Sequence, residues 1–166
     1  MTGMSVRIIG LDPGLRNAGW GVIDSSGNRL SHVAHGVIKS TSDLSLSERL
    51  RQIYTGLTQV IDQYSPHEAA VEETFVNANA ASALKLGMAR GVVLLAPATL
   101  GLTVGEYSAN KVKKSVVGVG HADKDQVAAM VQRLMPSAGS VKADAADALA
   151  VAICHAHHRL LSGLSL

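Results

Sequence analysis

Three strand-length apolar segments stand at the start of the chain, before any segment of helical period appears. They occupy residues 5–11, 19–24 and 30–38, and a run of turn-forming residues at 25–28 separates the second from the third. Short connections between consecutive strands favour antiparallel pairing. The opening of the chain therefore predicts a three-stranded antiparallel meander, with Asp12-Pro13-Gly14 ending the first strand.

Helical and strand-like segments alternate after this meander. The spacing of Ser45 and Glu48 predicts a capping box at the start of an amphipathic helix, which Pro66 ends. There follow a strand at 69–71, an Ala-rich helix at 79–96, a strand at 102–107 and helices at 108–117, 123–135 and 141–161. This order predicts an α/β fold formed by one domain over residues 1–166. Its core is a five-stranded mixed sheet with helices on both faces.

The composition is that of a globular protein, with 47% hydrophobic and 17% charged residues. A single cysteine, Cys154, excludes an intrachain disulfide framework and a Cys-rich zinc site. The N-terminus lacks the basic-then-apolar pattern of a signal peptide. The longest uncharged apolar run, 91–105, is shorter than a bilayer requires and contains Pro97 and Gly101. We therefore expect a soluble, cytoplasmic protein.

Four acidic residues stand where a sheet of this order would gather them. Asp12 ends the first strand, Glu72 ends the fourth, and Asp144 and Asp147 share one face of the last helix. Carboxylates gathered from separate elements repel one another, and a divalent cation relieves that repulsion. Oxygen ligands without His or Cys favour Mg²⁺ or Mn²⁺ over Zn²⁺. Two such ions, about 3.5–4 Å apart, would clamp the attacking and leaving oxygens of a phosphodiester displacement.

Each acid also has an ordinary structural interpretation. Asp12 precedes Pro-Gly, as turn residues often do, and an acid at the position of Asp144 is favoured by the helix dipole. Asp147 is harder to explain structurally, because it lies among alanines on an apolar helix. Glu72 and its neighbour Glu73 point to opposite faces of the strand, and the pattern alone does not choose between them.

Basic residues concentrate in one part of the chain, although the net charge is only +2. The cluster consists of Lys111, Lys113, Lys114 and Lys124, with Lys85 and Arg90 on an earlier segment. Charge alone favours a solvated basic face here. Three histidines near the C-terminus, at 155, 157 and 158, are typical of a helix end rather than of a metal site.

Several motifs together resemble the RuvC family of bacterial Holliday junction resolvases. The first two are Ile-Gly-Leu-Asp-Pro-Gly at 9–14 and Gly-Trp-Gly-Val-Ile at 19–23. Val71-Glu72 with Phe75, Ser-Ala-Leu-Lys-Leu-Gly-Met-Ala-Arg-Gly at 82–91 and Val-Lys at 112–113 with Val-Val-Gly at 116–118 follow. Ala-Asp-Ala-Ala-Asp-Ala-Leu-Ala at 143–150 completes the set, so the match covers nearly the whole chain in the family's order.

This resemblance implies an RNase H-like fold and a magnesium-dependent endonuclease. Such an enzyme acts as a homodimer and cuts two strands of like polarity at a four-way DNA junction, in recombination and repair. The resemblance also implies the RuvA–RuvB branch-migration complex as a partner. The small residues Gly87 and Gly91, one helical turn apart, permit the close approach of another backbone and fit a dimer.

The resemblance also assigns roles to individual residues. It places the catalytic and metal-binding acids at Asp12, Glu72, Asp144 and Asp147, and it selects Glu72 because the family's acid directly follows an aliphatic strand residue. Lys113 and Lys124 match basic positions near the scissile phosphate and the DNA backbone. Phe75 matches an aromatic residue that stacks at the junction centre, and a lone Phe beside a catalytic strand suits base stacking.

Three other classes of protein share some of these features. Actin-like sugar kinases and ATPases open with a similar Asp-x-Gly hairpin, but 166 residues cannot supply both of their lobes, and no second phosphate loop is present. A non-catalytic junction-binding protein would bind DNA without cutting it in Mg²⁺. An RNase H-like nuclease for another substrate, such as an RNA–DNA hybrid, is the third alternative.

Overall fold

The computed structural model describes residues 3–73 and 79–162. Its strands are β1 (Val6–Asp12), β2 (Asn17–Ser26), β3 (Arg29–Lys39), β4 (Glu68–Glu73) and β5 (Thr103–Ser108). Its helices are α1 (Leu46–Tyr64), α2 (Ala80–Thr99), α3 (Ala109–Val117), α4 (Lys124–Leu134) and α5 (Ala143–Leu161), and a short 3-10 turn at Pro136–Ala138 precedes α5. All the predicted elements are present, with ends that differ by a few residues.

The five strands form one mixed sheet in the order β3-β2-β1-β4-β5. The first three are antiparallel neighbours, as the short connections between them predict. Two parallel strands complete the sheet: β4 lies beside β1, and β5 lies beside β4. Because β1 and β4 are parallel, their carboxyl ends meet at the same edge of the sheet.

Helices cover both faces of the sheet, and each face has its own hydrophobic core. On one face α1 and α2 pack against side chains that include Ile9, Leu11, Val22 and Val71. On the other face α3, α4 and α5 pack against Ile8, Ile23 and Ala70. Odd and even positions of β1 thus enter different cores, because successive side chains of a strand alternate between its faces.

Glycines of β1 and β2 let α5 lie directly on the sheet. A Cβ built at Gly10 would overlap the carbonyl oxygen of Ala148, and one built at Gly19 would overlap the carbonyl oxygen of Asp144. Gly21 lies under the same helix and has no room for a Cβ either. We call these three glycines the glycine floor. Helix α5 approaches the sheet at backbone distance because the floor carries no side chains.

The helix caps differ in part from the prediction. The Ser45 hydroxyl accepts the backbone N–H of Glu48 at 3.4 Å, but the Glu48 carboxylate pairs with Arg51 at 2.7 Å. Only half of the predicted capping box is therefore formed at α1. A complete box occurs at α4, where Asp123 accepts the backbone N–H of Gln126 and the Gln126 side chain accepts that of Asp123.

Helix α2 extends beyond its predicted end near residue 96. It includes Pro97 and ends at Thr99, and Gly101, whose φ of +83° suits glycine, follows two residues later. Of the described helices, α2 alone is long and apolar enough to cross a bilayer, by length and composition only. In this fold, however, it packs on α1 and the sheet, with Ala89, Val93 and Ala96 buried.

The glycine floor leads to a test of stability. We expect Gly10→Ala to lower the free energy of unfolding by about 1–3 kcal/mol or more, because the added methyl group meets the backbone of α5. Urea or thermal denaturation measures this change. Gly120→Ala is the control, since a Cβ there lies 3.8 Å from its nearest neighbour. Equal stability of the two variants would contradict this account of the packing.

Candidate active site

Asp12 lies at the carboxyl end of β1, on the face that α5 covers. Gly10 of the floor lies two residues earlier on the same face. The neighbouring strand β2 places Gly19 opposite Asp12 in the register. The backbone of α5 lies on Gly19, so the Asp12 carboxylate stands beside the first turn of that helix.

Strand β4 brings Glu72 to the same edge of the sheet. Val71 pairs with Leu11 of β1, and both are buried in the core of the α1–α2 face. Since side chains alternate, Glu72 points to the opposite face, towards α5, and Glu73 does not. Glu72 lines a cavity together with Asp12, whereas Glu73 lines a separate groove. The strand register thus separates two neighbours that the sequence pattern alone leaves equivalent.

Helix α5 contributes two more carboxylates to this cavity. Asp144 lies in its first turn, and Asp147 follows three residues later on the same face. The cavity has a volume of about 250 Å³. Its charged lining consists of Asp12, Glu72, Asp144, Asp147, Lys113 and Lys124. We call it the carboxylate cavity; it brings together all the predicted acids and both predicted lysines.

Burial and mutual repulsion hold protons on this cluster. Burial raises the pKa of Asp12 to about 8, and the charges of Asp147, Glu72 and Asp144 add to the increase. Burial, with the charge of Asp147, also raises the pKa of Glu72 to about 7. The pKa of Asp147 is raised chiefly by burial as well. The cavity therefore holds more negative charge than its surroundings neutralise.

Two lysines oppose this charge only in part. The Lys124 ammonium lies 3.8 Å from a carboxylate oxygen of Asp147, and it favours the ionised form of that acid. Its side chain is 83% exposed, so solvent weakens the pairing. Lys113 lowers the pKa of Glu72 in the same way, by its charge. Neither lysine restores an ordinary pKa to Asp12 or Glu72.

The donors of the carboxylate cavity fit a hard divalent cation. Four carboxylates line it, and no His or Cys does. Among residues 3–73 and 79–162, no three His, Cys, Asp or Glu side chains lie close enough together to enclose a metal ion by themselves. The acids therefore form an open rim and not a closed cage. A cation would compensate the repulsion that raises the pKa of Asp12.

Other predicted residues lie away from the cavity. Phe75 falls outside the described residues. His155 is buried between the Tyr107 hydroxyl, at 2.7 Å, and the Glu68 carboxylate, at 2.6 Å. This network links β4, β5 and α5, so His155 has a structural role, as the sequence-based interpretation of a helix end allows. The glycine floor was not predicted, although Gly10, Gly19 and Gly21 all lie in the two motifs at 9–14 and 19–23.

Comparison with known proteins gives a consistent set of matches. The family model described as "Crossover junction endodeoxyribonuclease RuvC" matches residues 8–155. A curated protein of that name from Paramagnetospirillum magneticum is 64% identical over 154 residues, which cover 93% of each chain. Another from Rhodospirillum rubrum is 60% identical over 154 residues, covering 93% of this chain and 91% of that protein.

Solved structures agree. The structure titled "T. thermophilus RuvC in complex with Holliday junction substrate" matches with a TM-score of 0.88 and 31% identity, over 95% of this chain and 96% of that one. A yeast mitochondrial Holliday junction resolvase matches with a TM-score of 0.64 over 98% of this chain and 86% of that one. At 12% identity the second match shows the fold alone. The predicted RNase H-like fold is confirmed.

The raised pKa values predict how stability depends on pH when no metal is bound. The pKa of Asp12 is about 8 in the folded chain and near 3.8 in the unfolded chain, so the folded state binds the extra proton between these values. Stability should therefore fall as pH rises from about 5 to about 8. In EDTA at pH 8, Asp12→Asn should raise the free energy of unfolding by at least about 1 kcal/mol.

Thermal denaturation of wild type and Asp12→Asn across this pH range makes the measurement. Glu73→Gln is the matched control, since it removes one carboxylate from the same edge of the sheet but outside the cavity. Two results would contradict this prediction: a wild-type melting temperature that rises between pH 5 and pH 8, or an Asp12→Asn variant less stable than wild type at pH 8. Either would show that the ionised Asp12 carboxylate does not destabilise the folded chain.

Proposed function

The chain belongs to the crossover junction endodeoxyribonuclease RuvC family, and we propose that it resolves four-way (Holliday) DNA junctions by paired, metal-dependent hydrolysis of phosphodiester bonds. It is a nuclease of recombination and repair. One observation of this structure carries the proposal: four carboxylates from β1, β4 and α5 line one cavity together with two lysines. The relative whose structure contains a Holliday junction has nearly the same fold over 95% of this chain.

Asp12, Glu72, Asp144 and Asp147 are the proposed metal-binding and catalytic residues. Two Mg²⁺ ions, for which Mn²⁺ can substitute, would supply Lewis acidity to the attacking and leaving oxygens of an in-line displacement. The acids themselves provide the negative oxygen donors that such ions prefer. They are already placed before DNA binds, because strands β1 and β4 and helix α5 fix their backbones.

Lys113 and Lys124 are the proposed contacts to DNA phosphates at the cavity. An ammonium group neutralises a phosphate as a point charge and does not require a fixed orientation. The exposure of Lys124 leaves its ammonium free to exchange Asp147 for a phosphate oxygen. Phe75 follows Glu73 by two residues in the chain. From the resemblance, we assign it the stacking of an unpaired base at the junction centre.

Helix α2 provides the proposed dimer interface. Leu84, Met88 and Leu95 recur at helical spacing on it, and they are 62%, 38% and 55% exposed. Gly87 and Gly91 lie along the same stripe, and nothing approaches a Cβ position at either glycine within 4 Å. An exposed apolar stripe with small residues is suited to a two-fold interface between copies of one chain. Two copies place two cavities on one junction, as paired cuts require.

The remaining partners follow from the family. A resolvase acts where branch migration has placed the junction, and the RuvA–RuvB complex is the proposed partner for that step. The cytoplasm is the proposed location, because there the enzyme meets its DNA. The single cysteine, Cys154, is buried and unpaired with another cysteine, in agreement with a reducing compartment.

A panel of DNA substrates tests the proposed function. With Mg²⁺, the wild type should cut a four-way junction and should not cut linear duplex, flap or RNA–DNA hybrid substrates at a comparable rate. Gel analysis of end-labelled strands reports the position and symmetry of the cuts. Preferred cutting of the hybrid, or binding of the junction without cutting, would favour the alternative classes of protein and overturn the proposal.

Variants of the acids identify the site within this panel. Asp12→Asn, Glu72→Gln, Asp144→Asn and Asp147→Asn should each reduce cleavage by about 100-fold or more, because metal binding needs the charge. Junction binding in EDTA should persist. Mg²⁺ at 100 times its Kd should stabilise the wild type by about 2.7 kcal/mol and these variants much less. Glu73→Gln should cleave normally; near-normal cleavage by any of the four variants would remove that residue from the site.

The oligomeric state tests the interface. We expect a dimer by light scattering, and we expect Leu84→Glu to produce monomers because a carboxylate cannot be buried cheaply in an apolar interface. Leu134→Glu is the control, since Leu134 is an exposed leucine at the end of α4. A monomeric wild type that still makes paired cuts, or a Leu84→Glu variant that remains a dimer, would contradict the proposed interface.

A further inference from the structure

An open groove adjoins the carboxylate cavity on the side of α3. It has a volume of about 820 Å³, more than three times that of the cavity. Its basic and uncharged polar lining consists of Lys111, Lys113, Lys114, His121, Asn110 and Ser108. Lys113 lines both the groove and the cavity, so the two spaces meet at that residue. We call this space the lysine groove.

Salt bridges do not neutralise the lysines of the lysine groove. Within the described part of the chain, Lys111, Lys113 and Lys114 form no salt bridge. Two carboxylates also line the groove, but that of Glu106 pairs with Arg90 of α2. Three lysines therefore face one carboxylate, Glu73, that has no such cation beside it. The surplus positive charge is available to an anionic ligand.

The shape of the groove favours a chain of phosphates over a single small anion. It is open along one side, and Lys111, Lys114 and His121 are exposed. Helix α3 has nine residues and is about 13 Å long, whereas one DNA strand carries a phosphate about every 3.4 Å along the helix axis. Several phosphates can thus lie along α3. The scissile phosphate alone would need only the lysines of the carboxylate cavity.

The positive charge of Lys111 extends beyond the groove. Lys111 also lines a second open cavity, of about 590 Å³, beside β5. His158 and Arg159 of α5 line that cavity too, although Arg159 is paired with Glu68. Of these three side chains only Lys111 adds surplus positive charge, because burial lowers the pKa of His158 and the Glu68 carboxylate neutralises Arg159. The position of Lys111 therefore extends the positive charge away from the carboxylate cavity along α3. This direction fits DNA outside the site of cutting.

We propose that the lysine groove holds the phosphodiester backbone of a junction arm, and that Lys111 and Lys114, with Asn110 and His121, contact phosphates several nucleotides from the cut. This inference rests on the proposed function, because it takes the DNA junction as the ligand. It adds a binding surface that neither the four acids nor Lys113 and Lys124 provide. It assigns the groove to arm recognition and not to the chemical step.

The test compares two double variants in binding a four-way junction in EDTA. Lys111→Ala with Lys114→Ala should weaken binding about tenfold or more and should reduce the slope of log K against log salt by about two units. Arg29→Ala with Arg133→Ala removes the same charge from the start of β3 and from α4, and it should change neither quantity substantially. Lys111→Arg with Lys114→Arg keeps the charge, so it should retain the affinity and the salt slope of the wild type.

Arm length separates arm contacts from contacts at the crossover. The loss of affinity caused by Lys111→Ala with Lys114→Ala should be large on a junction with long arms. It should nearly disappear when the arms are shortened to a few base pairs. The proposal would be overturned if the Lys111→Ala, Lys114→Ala pair bound no more weakly than the Arg29→Ala, Arg133→Ala pair. A loss of affinity that is equal on long and short arms would also overturn it. Melting temperatures establish that the variants are folded, and Lys111→Gln with Lys114→Gln replaces any pair that is not.

The outcome is independent of whether the proposed function holds. Wild-type protein that fails to prefer a junction over linear duplex, or fails to cut it in Mg²⁺, would overturn the proposed function. The groove is still tested in that case. The Lys111→Ala, Lys114→Ala pair and the Arg29→Ala, Arg133→Ala pair can be compared on long and short linear duplexes by affinity and by the salt slope.

Discussion

The backbone contact between α5 and the glycine floor positions the rest of the molecule. Gly10, Gly19 and Gly21 leave no side chains between the sheet and the helix, so the first turn of α5 lies at the carboxyl end of β1. That contact sets Asp144 and Asp147 opposite Asp12. It also buries most of α5. Six of the eleven buried residues of α5 are alanines, so the packing of this helix depends on close approach. A bulkier strand residue would lift the helix and widen the site.

The same contact creates an electrostatic cost. Four carboxylates are brought together where burial and mutual repulsion raise the pKa of Asp12 to about 8 and that of Glu72 to about 7. A cluster of this kind destabilises the folded chain without a counter-ion, as expected for a site that is organised for a ligand and not for stability. In the proposed function, metal ions would relieve this cost at the acids, and the lysines would neutralise the phosphates of the DNA backbone.

Three surfaces of the chain thus have distinct chemistry. The carboxylate cavity is acidic with two lysines at its margin, the lysine groove beside it is basic and open, and the outer stripe of α2 is apolar. We assign cutting to the carboxylate cavity, binding of the junction arm to the lysine groove, and dimer formation to the apolar stripe of α2. Because the three surfaces have almost no side chain in common, a substitution in one can be measured without direct damage to another. Lys113 is the exception, since it lines both the cavity and the groove.

Much of this architecture follows from the sequence alone, because strand and helix periodicity, turns and the placement of acids at strand ends are local properties. The order of elements predicts the mixed sheet and the layers, and the motifs of the sequence indicate the acids at 12, 72, 144 and 147. The local pattern was wrong in detail at two helix ends. Glu48 pairs with Arg51 and leaves the capping box at Ser45 half formed, and α2 runs through Pro97 to Thr99.

Only the tertiary structure decided which face of β4 meets α5, and hence which of two adjacent glutamates enters the cavity. It also decided that the glycines of β1 and β2 allow the close approach of α5, and that the lysines of α3 line one groove. The physical reason is the same in each case. Burial, close approach and the summed field of several charges depend on distances between elements, and those distances exist only after the sheet and its helices have packed.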